Sequence, residues 1–163
     1  MYKSSRKTWQ CYNDCMDTLD RGHTEPELEK EAETMAKGLA PGERASVIAL
    51  FGDLGAGKTT FTKSFAKALG VEESVTSPTF VIEKRYPLSK EGFTTFIHID
   101  AYRLDDADEL RKLHWQEDVS DPRNVIVIEW ADKVEQLLPP GTVRINLAFL
   151  DEHTRSFAYD RKQ

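Results

Sequence analysis

Eight residues, Gly52-Asp53-Leu54-Gly55-Ala56-Gly57-Lys58-Thr59, limit what this chain can fold into more than any other stretch. They fit the phosphate-binding pattern of Gly, four residues, then Gly-Lys-Thr. The flanks supply the context the pattern needs. Before it, Val47-Ile48-Ala49-Leu50-Phe51 is an unbroken apolar run, which predicts a strand buried on both faces. After it, Phe61, Phe65 and Leu69 recur at i, i+4, i+8 and mark one face of a helix, with Gly70 at the position of a C-cap. Strand, glycine-rich turn and helix therefore follow one another in the order a phosphate cradle requires.

The chemistry explains the residue types. A triphosphate presents several negative charges and many acceptor oxygens, and backbone N–H groups meet them only if the chain curls closely. Gly52, Gly55 and Gly57 permit that curl because they have no Cβ to clash. The free N–H groups of the helix start point at the phosphates, and the helix dipole adds partial positive charge. Lys58 is expected to reach the β- and γ-phosphate oxygens, and Thr59 to place its hydroxyl on Mg²⁺.

With 163 residues, one domain is the default. Charged residues at 31% and hydrophobic residues at 39% are ordinary for a soluble globular chain. The net charge of −6 lacks the electrostatic footprint of a protein that grips nucleic acid by its phosphates, so any RNA is expected to be held by a partner. Cys11 and Cys15 have no second ligand pair and no close His, which argues against zinc and for two free thiols in a reducing cytosol. No apolar run approaches the ~20 residues of a membrane span. Met1 to Arg6 leads into no apolar core, so a secretory signal is not expected and a cytoplasmic location is.

Residues 1–22 are polar and without period, an extension that is disordered or carries a short extra helix; residues 23–163 form the single expected domain. Thr24-Glu25-Pro26-Glu27 has the form of a capping box, and Leu28, Ala32, Met35, Ala36 and Leu39 then share a helical face that ends before Pro41-Gly42. Ser77-Pro78 forbids a helix. Phe80–Tyr86 and Phe93–Ile99 read as two strands of an antiparallel hairpin, unusual inside an otherwise parallel phosphate-loop fold. The second ends in Asp100, at a strand tip, where open α/β sheets place ligands. Asp105 to Leu113 reads as a short acidic helix with a solvated face. Asn124-Val125-Ile126-Val127-Ile128-Glu129 is a second buried strand ending in a carboxylate, the Walker B arrangement. A charge at such a tip needs a partner, and nucleotide-bound Mg²⁺ is favoured over a cap for the next helix. Glu135–Leu138 closes a short helix, and Val143–Leu147 and Arg155–Tyr159 predict a C-terminal hairpin at one sheet edge.

Gly52-Asp53-Leu54-Gly55-Ala56-Gly57-Lys58-Thr59-Thr60, Ser77-Pro78-Thr79-Phe80, His98-Ile99-Asp100-Ala101-Tyr102-Arg103-Leu104, Glu129-Trp130-Ala131 and Leu138-Pro139, in that order and spacing, resemble the TsaE (YjeE) family of bacterial ATPases. The likeness covers about residues 24–159. It implies a P-loop NTPase-like α/β fold: a mixed, mostly parallel sheet with helices on both faces and antiparallel hairpins. It implies ATP with Mg²⁺ and a role in forming threonylcarbamoyladenosine at position 37 of tRNAs that read codons starting with A. The TsaD–TsaB pair would be the partner that performs the transfer and holds most of the tRNA, while ATP hydrolysis resets the complex. Residue by residue, the resemblance puts the triphosphate on Asp53 to Thr60, including Leu54 and Ala56, and Mg²⁺ on Thr59 and Glu129. Asp100 is then the candidate for orienting water or a metal-bound water. Ser77 and Thr79 fall in a switch-like segment where a hydroxyl senses the γ-phosphate or simply bonds a turn. Trp130 packs near the nucleotide, faces the partner or, as a bulky aromatic, is simply structural, and Thr24 lies near the base. His153 and Thr154 match the family's C-terminal turn too poorly to assign, and the N-terminal extension departs from the family.

The competing class is a small-molecule kinase on the same scaffold. It needs an acceptor pocket and an Arg-bearing lid. Arg103 and Arg111 are available, but no Gly-flanked basic lid segment is present. The chain has no Asn-Lys-x-Asp stretch to read guanine, which argues against a GTPase. A nucleotide-gated binding module with slow hydrolysis overlaps the favoured reading.

Overall fold

The computed structural model describes residues 22–78 and 82–161. The extension up to residue 21, Cys11, Cys15, Thr79 and Phe80 lie outside the described residues. In chain order the elements are β1 (His23–Thr24), α1 (Glu25–Lys37), β2 (Ser46–Phe51), α2 (Lys58–Ala68), β3 (Glu83–Pro87), β4 (Thr95–Asp100), α3 (Ala107–Arg111), α4 (Trp115–Ser120), β5 (Asn124–Glu129), β6 (Val143–Phe149) and β7 (Thr154–Arg161). Short 3-10 helices cover Ala101–Arg103 and Ala131–Leu137.

All seven strands join one sheet in the order β1-β7-β6-β2-β5-β4-β3. The four central strands β6, β2, β5 and β4 run parallel; β7 and β3 flank them antiparallel, and β1 pairs antiparallel with β7. The apolar runs at β2 and β5 follow from burial on both faces. Ile48, Leu50, Val125 and Val127 pack under α1 and α2 with Leu28, Phe61 and Phe65. Val47, Ala49, Ile126 and Ile128 point the other way, against Leu110, Trp115, Val119 and Val134. Helices thus cover both faces, as expected.

Local chemistry sets the ends of these elements. The Thr24 backbone N–H and hydroxyl both donate to Glu27 Oε2 at 2.9 Å, which closes the capping box at the start of α1. Val71 N–H donates to Ala66 O and Gly70 N–H to Lys67 O, and Gly70 adopts φ +91°, a glycine stop for α2.

Several boundaries differ from the sequence reading. α1 ends at Lys37, with Gly38 as its cap, ahead of Pro41-Gly42. The first hairpin strand runs from Glu83, after Ile82 at φ +62°, its expected start at Phe80 and Val81 lying outside the described residues; its partner runs from Thr95, after a turn closed by Phe93 N–H to Lys90 O. The acidic helix is shorter, starting after Asp106, whose side chain accepts from the N–H groups of Asp108 and Glu109. A further helix, α4, follows the left-handed His114. The segment before Pro139 is 3-10 rather than α-helical. The C-terminal hairpin is present, but β6 lies beside β2, parallel to it, and β1 covers part of β7's outer side. Among the described residues no helix is long and apolar enough to cross a membrane.

Two glycines separate conformational cost from close approach. At Gly52 the backbone leaves β2 at φ +140°, and a Cβ there would run into the Leu147 carbonyl of β6. At Gly70, φ is also positive but nothing lies within 4 Å of an added Cβ. Gly70→Ala is therefore expected to lower stability by about 1 kcal/mol from backbone strain alone. Gly52→Ala is expected to cost roughly 3 kcal/mol or more, because strain and a backbone clash combine. Urea unfolding midpoints of the two variants against the parent chain check the order.

Candidate functional site

The C-terminal ends of β2, β4 and β5 meet at one side of the sheet. β4 and β5 are in register so that Asp100 stands directly beside Glu129. β2 pairs with β5 up to Leu50 beside Glu129, and the chain then turns through 52–57 into α2. A fourth wall comes from the far side of the sheet. His23 pairs with Arg155 and Thr24 with Thr154, which brings the start of α1 next to the turn between β6 and β7. The space between these parts is a cavity of about 680 Å³.

Thr24, Leu54, Gly55, Ala56, Gly57, Lys58, Thr59, Thr60, Asp100 and Glu129 all line this cavity, together with Ser77 and Trp130. Gly52 and Asp53 do not; their carbonyls lie behind the loop and accept from Lys58 Nζ at 2.6 and 2.8 Å. The Trp130 ring closes over the same ammonium at 3.8 Å, carried there by a left-handed turn at Trp130 (φ +58°) directly after Glu129. Burial pushes the Lys58 ammonium below its ordinary value, against the pull of the carboxylates of Glu129, Asp100, Asp132 and Asp53.

Gly57 caps α2 with no side-chain hydrogen bond, so the first-turn N–H groups of an 11-residue helix are left without a side-chain acceptor at the cavity wall. That is an anion-binding arrangement. Opposite it are the two acids. Glu129 is almost wholly buried. Its Oε2 accepts from the Thr59 hydroxyl at 2.8 Å; its Oε1 lies 2.8 Å from His98 Nε2 and 3.1 Å from Thr62 Oγ1. Burial alone would raise this carboxyl, and the bonds from His98, Thr59 and Thr62 outweigh it and hold the group below its ordinary range. Asp100 Oδ2 accepts from the Ser77 hydroxyl at 2.9 Å and Oδ1 from Tyr102 N–H at 3.0 Å.

The donor set suits a small hard cation that arrives with a phosphate. Thr59 and Glu129 both line the cavity and meet through the Thr59 hydroxyl and Glu129 Oε2, and a cation that keeps waters and phosphate oxygens needs few protein ligands. Among the described residues no group of three or more His, Cys, Asp or Glu side chains is placed to hold a metal on its own.

The cavity has further lining residues: the sequence reading named Tyr102 and His153 without giving them a role, and did not single out Glu152 or Arg155 for the site. Tyr102, Glu152, His153 and Arg155 line the cavity as well. Arg155 donates from Nε to Gly55 O at 2.9 Å and from Nη1 to Asp151 O and Thr154 O, tying the β6–β7 turn to the glycine-rich loop. What places Glu152 and Arg155 there is the pairing of β1 with β7, beside the cap residue Thr24, which no local sequence pattern reveals. Arg103 and Arg111, the candidates for a kinase lid, do not line the cavity, and Arg111 pairs with Asp108 on its own helix at 2.5 Å.

A family model described as "Threonylcarbamoyl adenosine biosynthesis protein TsaE" matches residues 23–157. Among curated proteins, the tRNA threonylcarbamoyladenosine biosynthesis protein TsaE of Rickettsia felis is 37% identical over 134 residues, covering 82% of this chain and 74% of its own length. That of Bacillus subtilis is 38% identical over 113 residues, 69% of this chain and 68% of its own. That of Streptomyces coelicolor is 45% identical over 105 residues, 63% and 67%. The crystal structure of Bacillus subtilis YdiB superposes with a TM-score of 0.61 at 30% identity, covering 86% of this chain and 82% of that one.

The bonds to Glu129 predict a stability effect separate from chemistry. Glu129→Ala removes the carboxylate that faces buried His98, half-buried Thr59 and Thr62, whose hydroxyl also lies 2.9 Å from the Lys58 carbonyl, and is expected to cost roughly 2 kcal/mol. Glu129→Gln keeps a carbonyl oxygen for His98 and an amide for Thr59, and is expected to cost about 1 kcal/mol. Thermal or urea unfolding of both variants without nucleotide measures the difference.

Proposed function

The chain belongs to the TsaE family of tRNA threonylcarbamoyladenosine biosynthesis proteins, and we propose that it works there as a Mg²⁺-dependent ATPase that binds a TsaD–TsaB pair and supports its turnover. One observation carries this reading: Lys58, Thr59, Asp100 and Glu129, drawn from a glycine-rich turn and two adjacent strand tips, line a single cavity beside a free helix start. ATP is the substrate, with its triphosphate against the loop from Gly52 to Thr60 and its base toward Thr24. Mg²⁺, which Thr59 and Glu129 would hold, would supply neutralisation of the phosphate charge.

The chain's own residues do the rest. Lys58 exchanges the carbonyls of Gly52 and Asp53 for phosphate oxygens, leaving the Trp130 face as it reaches outward. Thr59 and Glu129 Oε2 hold the cation side of the site. Asp100, kept in place by Ser77 and Tyr102, orients the attacking water. The mouth of the cavity supports a partner: Leu54, at the crown of the loop, is 87% exposed, and Tyr102 is 54% exposed. Apolar side chains standing that far into water beside a catalytic loop fit a surface that closes when a second protein docks. The acidic net charge of −6 agrees with a partner that carries the tRNA. A kinase reading has no observation in its favour, since neither candidate lid arginine reaches the cavity.

The purified chain is expected to hydrolyse ATP slowly alone and faster with the TsaD–TsaB pair, followed by phosphate release. Lys58→Ala and Glu129→Gln are each expected to lower stimulated hydrolysis by about 10²-fold or more, through loss of charge at the reacting phosphate. Phosphorylation of a metabolite, with no response to the pair, would identify a kinase instead.

A further inference from the structure

His98 has no part in the reading above, although its side chain is fully buried two residues before Asp100. Phe96, His98 and Asp100 alternate to the α2 face of β4, as Val125, Val127 and Glu129 do on β5. His98 stands opposite Val127 in register, so its ring reaches diagonally forward to the carboxylate at the strand tip. Nε2 lies 2.8 Å from Glu129 Oε1, while Nδ1 is buried and has no hydrogen-bond partner among the described residues. An imidazole that faces a carboxylate with one nitrogen and apolar surroundings with the other carries its proton on the first.

We propose that His98 is a positioning residue, which through Nε2–H fixes one oxygen of Glu129 in the protein interior so that the other stays at the cavity beside Thr59. The arrangement of donors gives the reason. Oε1 faces the fully buried His98 and Thr62, the Thr62 hydroxyl being shared with the Lys58 carbonyl at 2.9 Å, which leaves His98 as its dedicated partner; Oε2 takes Thr59, which lines the cavity. A carboxylate with donors on one side only would be free to rotate about its last bond. Donors from β4 and α2 together leave a single orientation. Packing alone does not account for a histidine here, since an apolar ring next to Phe96 would fill the space without leaving Nδ1 unsatisfied. Partners that orient a ligand set its affinity for the metal.

This inference rests on the proposed Mg²⁺ role of Glu129, so the test separates the two. The full chain labelled with ¹⁵N-histidine, without nucleotide or metal, is expected to show His98 protonated at Nε2 in long-range ¹H–¹⁵N spectra. A neutral ring protonated only at Nδ1 overturns the proposal, and this measurement needs no variant to fold. ADP binding is then measured with and without Mg²⁺ for the parent chain, His98→Phe and His98→Gln. His98→Phe is expected to lose about tenfold of the affinity gained from Mg²⁺, with Mg²⁺-free affinity within about twofold of the parent. His98→Gln, which offers an amide N–H to the same oxygen, is expected to recover most of the loss. If His98→Phe weakens ADP equally with and without Mg²⁺, or leaves the Mg²⁺ gain intact, His98 only fills space and the proposal is wrong. A parent chain whose ADP affinity ignores Mg²⁺ overturns the Mg²⁺ reading and the inference with it, and is recognised before any variant is compared.

Discussion

A single carboxylate ties together the three elements that build the cavity floor. Glu129 ends β5, accepts from His98 on β4, and accepts from Thr59 and Thr62 on α2. Burying a charge at that depth is costly unless its lone pairs are met, and here three side-chain donors meet them. The consequence runs in both directions. The strands must pair in register for His98 to reach Glu129, and α2 must begin where it does for Thr59 to reach Oε2. Register, helix start and site geometry are therefore one constraint rather than three.

The glycine-rich loop is fitted to that floor from above. Gly52 passes so near the Leu147 carbonyl that no side chain fits, which fixes where the chain leaves β2. Lys58 folds back onto its own loop, under the Trp130 ring, where burial pushes its ammonium below the ordinary value and four nearby acids pull the other way. A cation held by weak backbone acceptors and an aromatic face is one that a phosphate can recruit. The β6–β7 turn closes the fourth side, because β1 pairs with β7 and Arg155 bonds Gly55 O.

Much of this was legible in the sequence, for reasons that can be named. A strand buried on both faces must be apolar throughout, so β2 and β5 announce themselves, and the acid at the end of β5 signals a need for partners, which the structure supplies first from His98, Thr59 and Thr62. The capping box at Thr24–Glu27 is a local reciprocal bond and reads from four residues. What was hidden depended on pairing at a distance. A two-residue strand such as β1 has no period to detect, yet it decides that Thr24 and Arg155 share a wall. α4 follows a left-handed His114, where backbone conformation rather than composition sets the start. His98 reads as one more interior position of an alternating strand; only the register with β5 gives it a carboxylate to hold.

The central claim is that the tips of β4 and β5 face the reacting end of a nucleotide seated on the glycine-rich loop. A crystal structure of this chain with a non-hydrolysable ATP analogue and Mg²⁺ tests it most directly. The account predicts the triphosphate along Gly52–Thr60, Lys58 moved off the Gly52 and Asp53 carbonyls, and Glu129 reaching the cation at about 2 Å or through one bound water. A nucleotide bound elsewhere, or one on the loop with both Asp100 and Glu129 more than ~10 Å from the γ-phosphate, far beyond any metal contact, would contradict it.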